Sequence, residues 1–399
     1  MAEYSEERQA TITRRILSLD VLRGAVIVLM ALDHIRDVFA LTPQRPELMD
    51  RLEPGWFFTR WVTHFCAPVF VFLAGTSAFL YGSKVDNKRD LSRFLFARGL
   101  WLIVIEVAVV TPSWTFSLPT TAGFLILQVI WAIGWAMIIL AGLIWLPTPL
   151  TLMFGLTLAA GHNVLDSVSS DQLGSFGWLW KLLHEGNSWI QLSQDPVFGL
   201  VILYPLIPWV GVMAVGYAFG PVMKWESARR RVFLLSVGCV VTLLFVGFRF
   251  SNIYGNPTPF APGNSFLDTL MRFLNTEKYP PSFLFLCMTL GPMFLVLACL
   301  EKARGIWCDV LATFGKVPFF FYVLHMPTLT LLGMLWFTLR YGRAMVLLTT
   351  QQGDLPQAYR PNLLLVYAVW FLVIALMYLL CRWFCRVKQK YDWWWLKYI

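Results

Sequence analysis

The apolar run VLMALDHIRDVFA (28–40) contains four ionisable side chains, those of Asp33, His34, Arg36 and Asp37. His34 and Asp37 are three positions apart, so on a helix the carboxylate would lie one turn from the imidazole, orient it and raise its basicity. A charge inside a membrane helix costs about 2.5–3.5 kcal/mol on insertion scales, so it normally faces a cavity or a partner. We therefore predict catalytic roles for Asp33, His34 and Asp37.

A second histidine, His64, lies in the next apolar run, at the depth expected for His34. The two runs are consecutive and joined by a short loop, so we expect antiparallel neighbours with the two histidines side by side and both catalytic. Arg60 precedes His64 by one turn, and we expect Arg36 and Arg60 to bind substrate. The alternative for Arg36, Asp37 and Arg60 is that they reach the outer lipid headgroups.

A third histidine, His325, lies in FGKVPFFFYVLHMPTLTLL (314–332). Pro327 cannot donate a hydrogen bond to the carbonyl of Val323, which predicts a locally broken helix beside a catalytic histidine. The alternative is a proline kink with a hydrogen-bonded structural histidine.

Further polar side chains divide into an outer and an inner set. In the outer set, Tyr204 and Trp209 stand among prolines and are candidate substrate contacts, although structural hydrogen bonding is the alternative. The inner candidates for holding the phosphates of a cytoplasmic cofactor are Arg23, Arg98 and Lys316. Gln128, in the outer half of its span, is a further candidate contact of that cofactor. Such cations also commonly extend to headgroups, and a buried glutamine commonly joins helices.

No compact spacing of metal ligands is present, so we expect no metal. His162, Asp166 and His184 are expected to be solvated at the outer surface. Soluble signatures such as the P-loop, HExxH and paired CxxC are also absent.

The composition is that of a membrane protein, with 58% hydrophobic and 14% charged residues among 399. About ten runs are long enough to cross a bilayer as helices. They lie near 21–42, 57–82, 98–118, 122–146, 149–165, 197–222, 232–250, 281–300, 314–338 and 362–382. We predict an all-α polytopic bundle forming a single domain over 1–399, with tails at 1–19 and 383–399. A helix lying in the membrane interface is also expected within 171–192.

Lysine and arginine are concentrated in alternate loops, more than twice as many in one set as in the other. This positive-inside pattern places both termini in the cytoplasm and explains the net charge of +9 without a nucleic-acid partner.

Six stretches resemble the bacterial relatives of heparan-alpha-glucosaminide N-acetyltransferase, within a wider superfamily of transmembrane acyltransferases. They are SLDVLRGAVIVLMALDH (18–34), THFCAPVFVFLAGTSAFLYG (63–82), LILQVIWAIGWA (125–136), YPLIPWVGVMAVGYAFG (204–220), KYPPSFLFLCMTLGP (278–292) and GKVPFFFYVLHMPTL (315–329). The resemblance runs in order through nearly the whole chain.

The resemblance implies transfer of an acyl group, typically acetyl from cytoplasmic acetyl-CoA, to an acceptor across the membrane. It places His34 where the lysosomal enzyme has an active-site asparagine, and His64 where that enzyme has an aspartate. The lysosomal enzyme has its proposed catalytic histidine in the first outer loop, but residues 43–56 here contain none. The resemblance therefore implies that His34 or His64 supplies the base and leaves the acceptor open.

Our preferred hypothesis is an acyltransferase of the bacterial inner (plasma) membrane that uses acetyl-CoA or another short acyl-CoA. Its acceptor would be an extracytoplasmic sugar, a cell-envelope glycan or another small molecule. The alternatives are a proton-coupled transporter of a small solute, using Asp33, Glu106 and the histidines as a relay, and a non-catalytic membrane subunit. The expected partners are the bilayer, the acyl-CoA and the acceptor, and the oligomeric state, including a homo-oligomer, is left open.

Overall fold

The computed structural model describes residues 16–40, 53–117, 123–346, 355–391 and 393–397. Within these ranges the chain is a bundle of α-helices with one small sheet, as predicted for the fold class. The helices are α1 (Leu17–Ala40), α2 (Pro54–Thr63), α3 (Cys66–Gly82), α4 (Lys88–Ile105), α5 (Thr111–Thr115), α6 (Val129–Leu143), α7 (Thr148–Gly161), α8 (Gly177–Leu183), α9 (Leu206–Phe219), α10 (Ser227–Ser251), α11 (Phe266–Leu274), α12 (Phe283–Leu300), α13 (Ile306–Lys316), α14 (Pro318–Tyr341) and α15 (Leu363–Lys390).

Seven helical stretches of the described chain are long and apolar enough to cross a membrane, which makes this an integral membrane protein. They are Pro54–Gly82, Lys88–Thr115, Leu206–Lys224, Ser227–Ser251, Phe283–Leu300, Pro318–Tyr341 and Leu363–Lys390. The three other predicted runs correspond to α1, which has 24 residues but several charges, and to the shorter α6 and α7. The number of helices that cross the bilayer stays a prediction.

Two ends of the bundle are distinguished below. The outer end carries Ala40, the end of α7 and Lys278, and the inner end carries Leu17, Lys88 and Lys316. The positive-inside pattern assigns the inner end to the cytoplasm, which stays a prediction.

Helix α1 lies inside the bundle, in contact with α2, α3, α13, α14 and α15. Its approach to α13 depends on two glycines. A Cβ on Gly24 would collide with the carbonyl oxygen of Leu311, and a Cβ on Gly315 would collide with that of Asp20. Because neighbours surround α1, its charged side chains are held within protein and not against lipid.

A three-stranded sheet lies beside the helices, in the order β1-β3-β2. Its strands are β1 (Phe124–Leu127), β2 (Ser188–Gln194) and β3 (Val197–Ile202), with β1 parallel and β2 antiparallel to β3. The predicted helices therefore begin too early at 122 and 197, and the helix expected in 171–192 ends at Leu183. Short apolar runs such as FLIL fit either structure, and only their distant pairing partners favour strands here.

Several helix boundaries also differ from the prediction. A turn at His64 and Phe65 separates α2 from α3 within the run predicted as one span. A second break, at Val317, separates α13 from α14, whereas α14 continues through Pro327, so the predicted break beside His325 is wrong. One missing backbone donor is tolerated there within a long packed helix.

The structure bears on the predicted C-terminal tail but not on most of the N-terminal tail or the first outer loop. Helix α15 continues to Lys390, so the predicted tail at 383–399 begins inside a helix. Of the N-terminal tail and the first outer loop, residues 1–15 and 41–52 lie outside the described residues.

Candidate functional site

Two of the predicted catalytic histidines form a pair in the bundle. Nδ1 of His34 on α1 lies 2.7 Å from Nε2 of His325 on α14, and the rings stack with centroids 5.0 Å apart. The expected neighbour of His34 was His64, and this interpretation is corrected: no hydrogen bond or ring contact joins the two in the described chain. His64 instead lies against Phe285, with ring centroids 5.4 Å apart.

The hydrogen bonds assign the protons of the pair. Nδ1 of His325 lies 2.6 Å from the carbonyl oxygen of Tyr322, which can only accept, so Nδ1 carries the proton. In a neutral ring Nε2 of His325 is then an acceptor, and Nδ1 of His34 must donate to it. This leaves the lone pair of His34 on Nε2. No described residue bonds that nitrogen, and the His34 side chain is partly exposed.

Asp33, the chain neighbour of His34, is bound by three cations. Its Oδ1 lies 2.5 Å from Arg60 and 3.2 Å from Arg36, and its Oδ2 lies 3.9 Å from Nζ of Lys278. The hydroxyl of Thr63 donates to Oδ1 at 2.9 Å. Only 8% of Asp33 is exposed, so these partners compensate for the lost solvation of a buried carboxylate.

Asp37 does not orient His34 as predicted, because its carboxylate forms an ion pair with Arg36. Arg36 is only 3% exposed, and the side chain of Arg60 is 14% exposed. Both arginines are therefore held by carboxylates inside the protein, and the headgroup alternative is wrong for them.

Asp33, Arg36, Arg60 and Lys278 form an ion cluster, and the outer end contains a cavity of about 400 Å³ beside it. Its lining includes Arg60, His64, Lys278 and Tyr279, together with polar side chains of the segment 256–277. Nδ1 of His64 is buried without a hydrogen bond from any described residue. The cavity is therefore polar and cationic.

The predicted substrate contacts Tyr204 and Trp209 lie behind this cavity. The ring of Tyr204 packs against those of Trp209 and Tyr279, with centroids 5.3 and 5.5 Å away. Of the three, only Tyr279 lines the cavity. Tyr204 and Trp209 thus support its wall.

The inner end contains a second cavity of about 450 Å³. Arg23, Arg98 and Lys316, the predicted phosphate contacts, all line it, and so does Lys388. Arg23 is fixed by Asp20 at 3.0 Å, by the carbonyl of Gly315 at 3.1 Å and by Ser77 at 2.9 Å.

Mostly apolar side chains form the rest of the inner cavity, which extends to Tyr322, one turn before His325. Gln128 is not in the lining but is the N-cap of α6, next to Val129, which is. Glu106 accepts a hydrogen bond from the backbone N–H of Trp131 at 3.2 Å. This contact joins the helical turn that begins at Glu106 to α6. Joining helices is the structural role expected above as the alternative for Gln128.

Three residues near the histidine pair and the ion cluster were missed from the sequence: Trp114, Thr63 and Lys278. Trp114 lies edge-on to His34, with ring centroids 5.0 Å apart, and its Nε1 is buried without a partner in the described chain. A π-helical turn, Glu106–Val110, precedes α5 and sets the position of Trp114. The signal for Lys278 was its place in KYPPS, a charge directly before an apolar run.

The expectation of solvated histidines at the outer surface is wrong. His162 is 2% and His184 is 3% exposed, and only Asp166 of that group is exposed.

Comparison of the chain with known proteins identifies its family. Residues 15–254 match the family model described as heparan-alpha-glucosaminide N-acetyltransferase, catalytic. No curated protein shows significant similarity to the chain. The match covers more than half of the 399 residues, including α1, α2 and the sheet. The chain therefore belongs to the heparan-alpha-glucosaminide N-acetyltransferase family.

Proposed function

We propose that this membrane acetyltransferase moves an acetyl or other short acyl group from acyl-CoA in the inner cavity to an acceptor in the outer cavity. The observation that carries the proposal is the His34–His325 pair. His325 fixes His34 as the tautomer with its lone pair on Nε2, and that nitrogen has no bond to a described residue. A neutral imidazole with one nitrogen fixed and the other available is suited to act as a general base.

The inner cavity suits coenzyme A. Its cations can hold phosphates, and its apolar lining can hold the extended pantetheine arm. Arg23 and His34 are eleven positions apart on α1, a rise of about 16 Å. A cofactor with its phosphates near Arg23 would thus direct its thioester toward the histidine pair.

The outer cavity suits a hydroxylated acceptor. Its lining mixes cations with amide and hydroxyl groups, the chemistry that binds sugars through hydrogen bonds. We therefore favour a sugar or cell-envelope glycan that carries a free hydroxyl or amine.

In the proposed reaction, Nε2 of His34 takes the proton from the acceptor hydroxyl or amine while that oxygen or nitrogen attacks the thioester carbonyl. The carbon–sulfur bond of the tetrahedral intermediate then breaks. Protonated His34 returns its proton to the departing thiolate. The products are an acyl ester or amide and free CoA thiol.

The oxyanion of that intermediate needs positive charge or N–H donors close to it. Arg60 and Lys278 supply positive charge, and Asp33 holds both in position. The partnerless Nε1–H of Trp114 is a further donor beside His34.

The test uses the full chain in proteoliposomes, with acetyl-CoA radiolabelled in the acetyl group on one side and glycan acceptors on the other. We expect labelled acceptor and CoA thiol in equal amounts. His34→Gln should lower the rate by about 10²–10⁴, the usual contribution of a general base. A matched control is Thr289→Val, a buried threonine that bonds only its own helix.

Retention of the wild-type rate by His34→Gln would overturn the assignment of the base. Proton-coupled solute uptake without acyl-CoA, and no acyl transfer, would instead support the transporter alternative.

A further inference from the structure

Three potential metal ligands meet at the outer end, away from the histidine pair. His162 and Asp166 lie on the turn that follows α7, and His184 directly follows α8. One ligand atom from each side chain lies within 4.8 Å of the other two. Nε2 of His184 is 3.0 Å from Oδ1 of Asp166, and the two imidazole centroids are 5.6 Å apart.

The unusual member of this group is His162. Its side chain is buried, yet neither ring nitrogen has a hydrogen bond in the described chain. The carbonyl of Pro281 is near the ring but outside hydrogen-bond geometry. Nδ1 of His184 is likewise buried without a partner. Buried polar atoms are rarely left unpaired, so these nitrogens call for a ligand.

Imidazole nitrogens and a carboxylate oxygen are ligand atoms that zinc binds in proteins.

Surrounding residues hold the ligands in place. Asn163 donates to Oδ2 of Asp166 at 2.8 Å, which leaves Oδ1 directed at the histidines. The side-chain oxygen of Asn163 accepts from the backbone N–H of Phe283 at 2.7 Å. Supporting hydrogen bonds of this kind orient ligands in metal sites.

We propose that His162, Asp166 and His184 bind a divalent transition metal of the zinc type, with water as the fourth ligand. Tetrahedral zinc with bonds of about 2.0–2.1 Å sets its ligand atoms roughly 3.3 Å apart. The side chains would therefore close by about 1.5 Å at most around the ion.

The site would brace the outer cavity. It joins the ends of α7 and α8 and, through Asn163, the start of α12. Gly186, two residues after His184, packs so closely on Tyr279 that a Cβ would collide with its backbone. Tyr279 and Lys278 line the outer cavity, so the metal would fix the segment that presents them.

The experiment measures metal content and metal-dependent stability of the full chain, purified in detergent without a polyhistidine tag. We expect one equivalent of zinc after dialysis against micromolar Zn²⁺, and a melting temperature that rises with the logarithm of free Zn²⁺. Replacement by Co²⁺ should give the intense visible absorption of a tetrahedral site.

The double variant His162→Ala/His184→Ala should lose the bound zinc, the cobalt spectrum and the Zn²⁺-dependent rise in melting temperature. Asp166→Asn should weaken zinc binding at least tenfold. Asp171→Asn, an exposed carboxylate on the same outer segment, is the matched control and should behave as wild type. A wild-type protein without stoichiometric zinc, or variants that retain it, would overturn the proposal. Monodisperse elution of the variants shows that they are folded.

Discussion

The outer and inner cavities both contain cations but differ in what holds those cations. At the outer cavity, Arg60 and Lys278 share one buried carboxylate, that of Asp33, inside the protein. At the inner cavity, Arg23 has its own carboxylate, Asp20, and also a hydroxyl and a backbone carbonyl. Arg60 and Lys278 thus depend on one carboxylate, whereas Arg23 is fixed by several groups.

The side chains that line the two cavities also differ in polarity. The outer lining is mostly polar, as suits a hydroxylated acceptor, while the inner lining joins cations to a long apolar surface, as suits a phosphorylated cofactor with an extended arm. The histidine pair connects the two regions, because His34 adjoins Asp33 in the chain and His325 lies one turn from Tyr322 of the inner cavity. This asymmetry gives the proposed transfer its direction.

The largest effect is expected from comparing Asp33→Asn with Asp20→Asn, which tests how strongly the cations of each cavity depend on one carboxylate. Removing the Asp33 charge leaves Arg60 and Lys278 without their carboxylate partner, although Arg36 keeps Asp37. Breaking a buried ion pair costs about 3–5 kcal/mol. We expect Asp33→Asn to unfold at much lower temperature and to lose transfer, while Asp20→Asn loses less stability because Arg23 keeps two other partners. Melting curves in detergent measure both. Equal losses would show that Arg60 and Lys278 do not depend on Asp33 more than Arg23 depends on Asp20.

The next largest effect concerns the group that fixes His34. His325→Phe keeps an aromatic ring beside Phe321 but removes the acceptor for Nδ1 of His34. Loss of the charged partner in a serine-protease triad costs about 10⁴ in kcat, and a neutral partner should cost less, about 10²–10³. If His325 positions His34 in this way, both neutral tautomers of His34 should be populated in the His325→Phe variant.

Nitrogen-15 NMR of labelled histidine distinguishes the tautomers directly. His64→Asn is the comparison, because His64 lines the outer cavity and shares no hydrogen bond or ring contact with His34 in the described chain. It should change the KM for acceptor and leave the tautomer of His34 as in wild type. A single His34 tautomer in His325→Phe would refute the positioning role.

A smaller effect is expected for Lys278→Met, which keeps the length of the side chain but removes its charge. Asp33 retains Arg36 and Arg60, so the fold should survive. We expect kcat/KM for the acceptor to fall about tenfold to a hundredfold, since one charge that stabilises the oxyanion is lost. The KM for acetyl-CoA should not change. A rise in the KM for acetyl-CoA alone, with no effect on the acceptor, would show that Lys278 does not act at the outer cavity.

These tests depend on contacts that the sequence supplied only in part. The cost of burying charge made Asp33 and His34 candidates for the site, and the neighbouring Pro327 made His325 a candidate, without knowledge of the fold. Hydrophobic run lengths likewise predicted a helical membrane bundle. Run length does not specify the rotation of a helix about its axis. The sequence therefore did not predict that His34 faces His325, 291 positions away in the chain, and not the nearby His64.

Loops and strands were less predictable for the same reason. Lys278 reaches Asp33 from a turn before α12, across a separation that no local pattern encodes. The strand Val197–Ile202 appeared helical because its apolar run continues into α9, and its pairing with Phe124–Leu127 depends on residues far apart in the chain. His162 and His184 appeared solvated because their burial arises only when the ends of α7 and α8 meet.

The smallest expected effect tests the inner cavity through the double variant Arg98→Met/Lys316→Met. If these cations bind the phosphates of CoA, the KM for acetyl-CoA should rise about tenfold, equivalent to about 1.4 kcal/mol, with kcat unchanged. The difference from wild type should shrink as salt is added, because screening weakens the wild-type interaction. An acetyl thioester of pantetheine, which lacks the phosphates, should serve both proteins equally. A defect that persists with this donor would show that the two side chains support the cavity in another way, since no phosphate would then be present for them to bind.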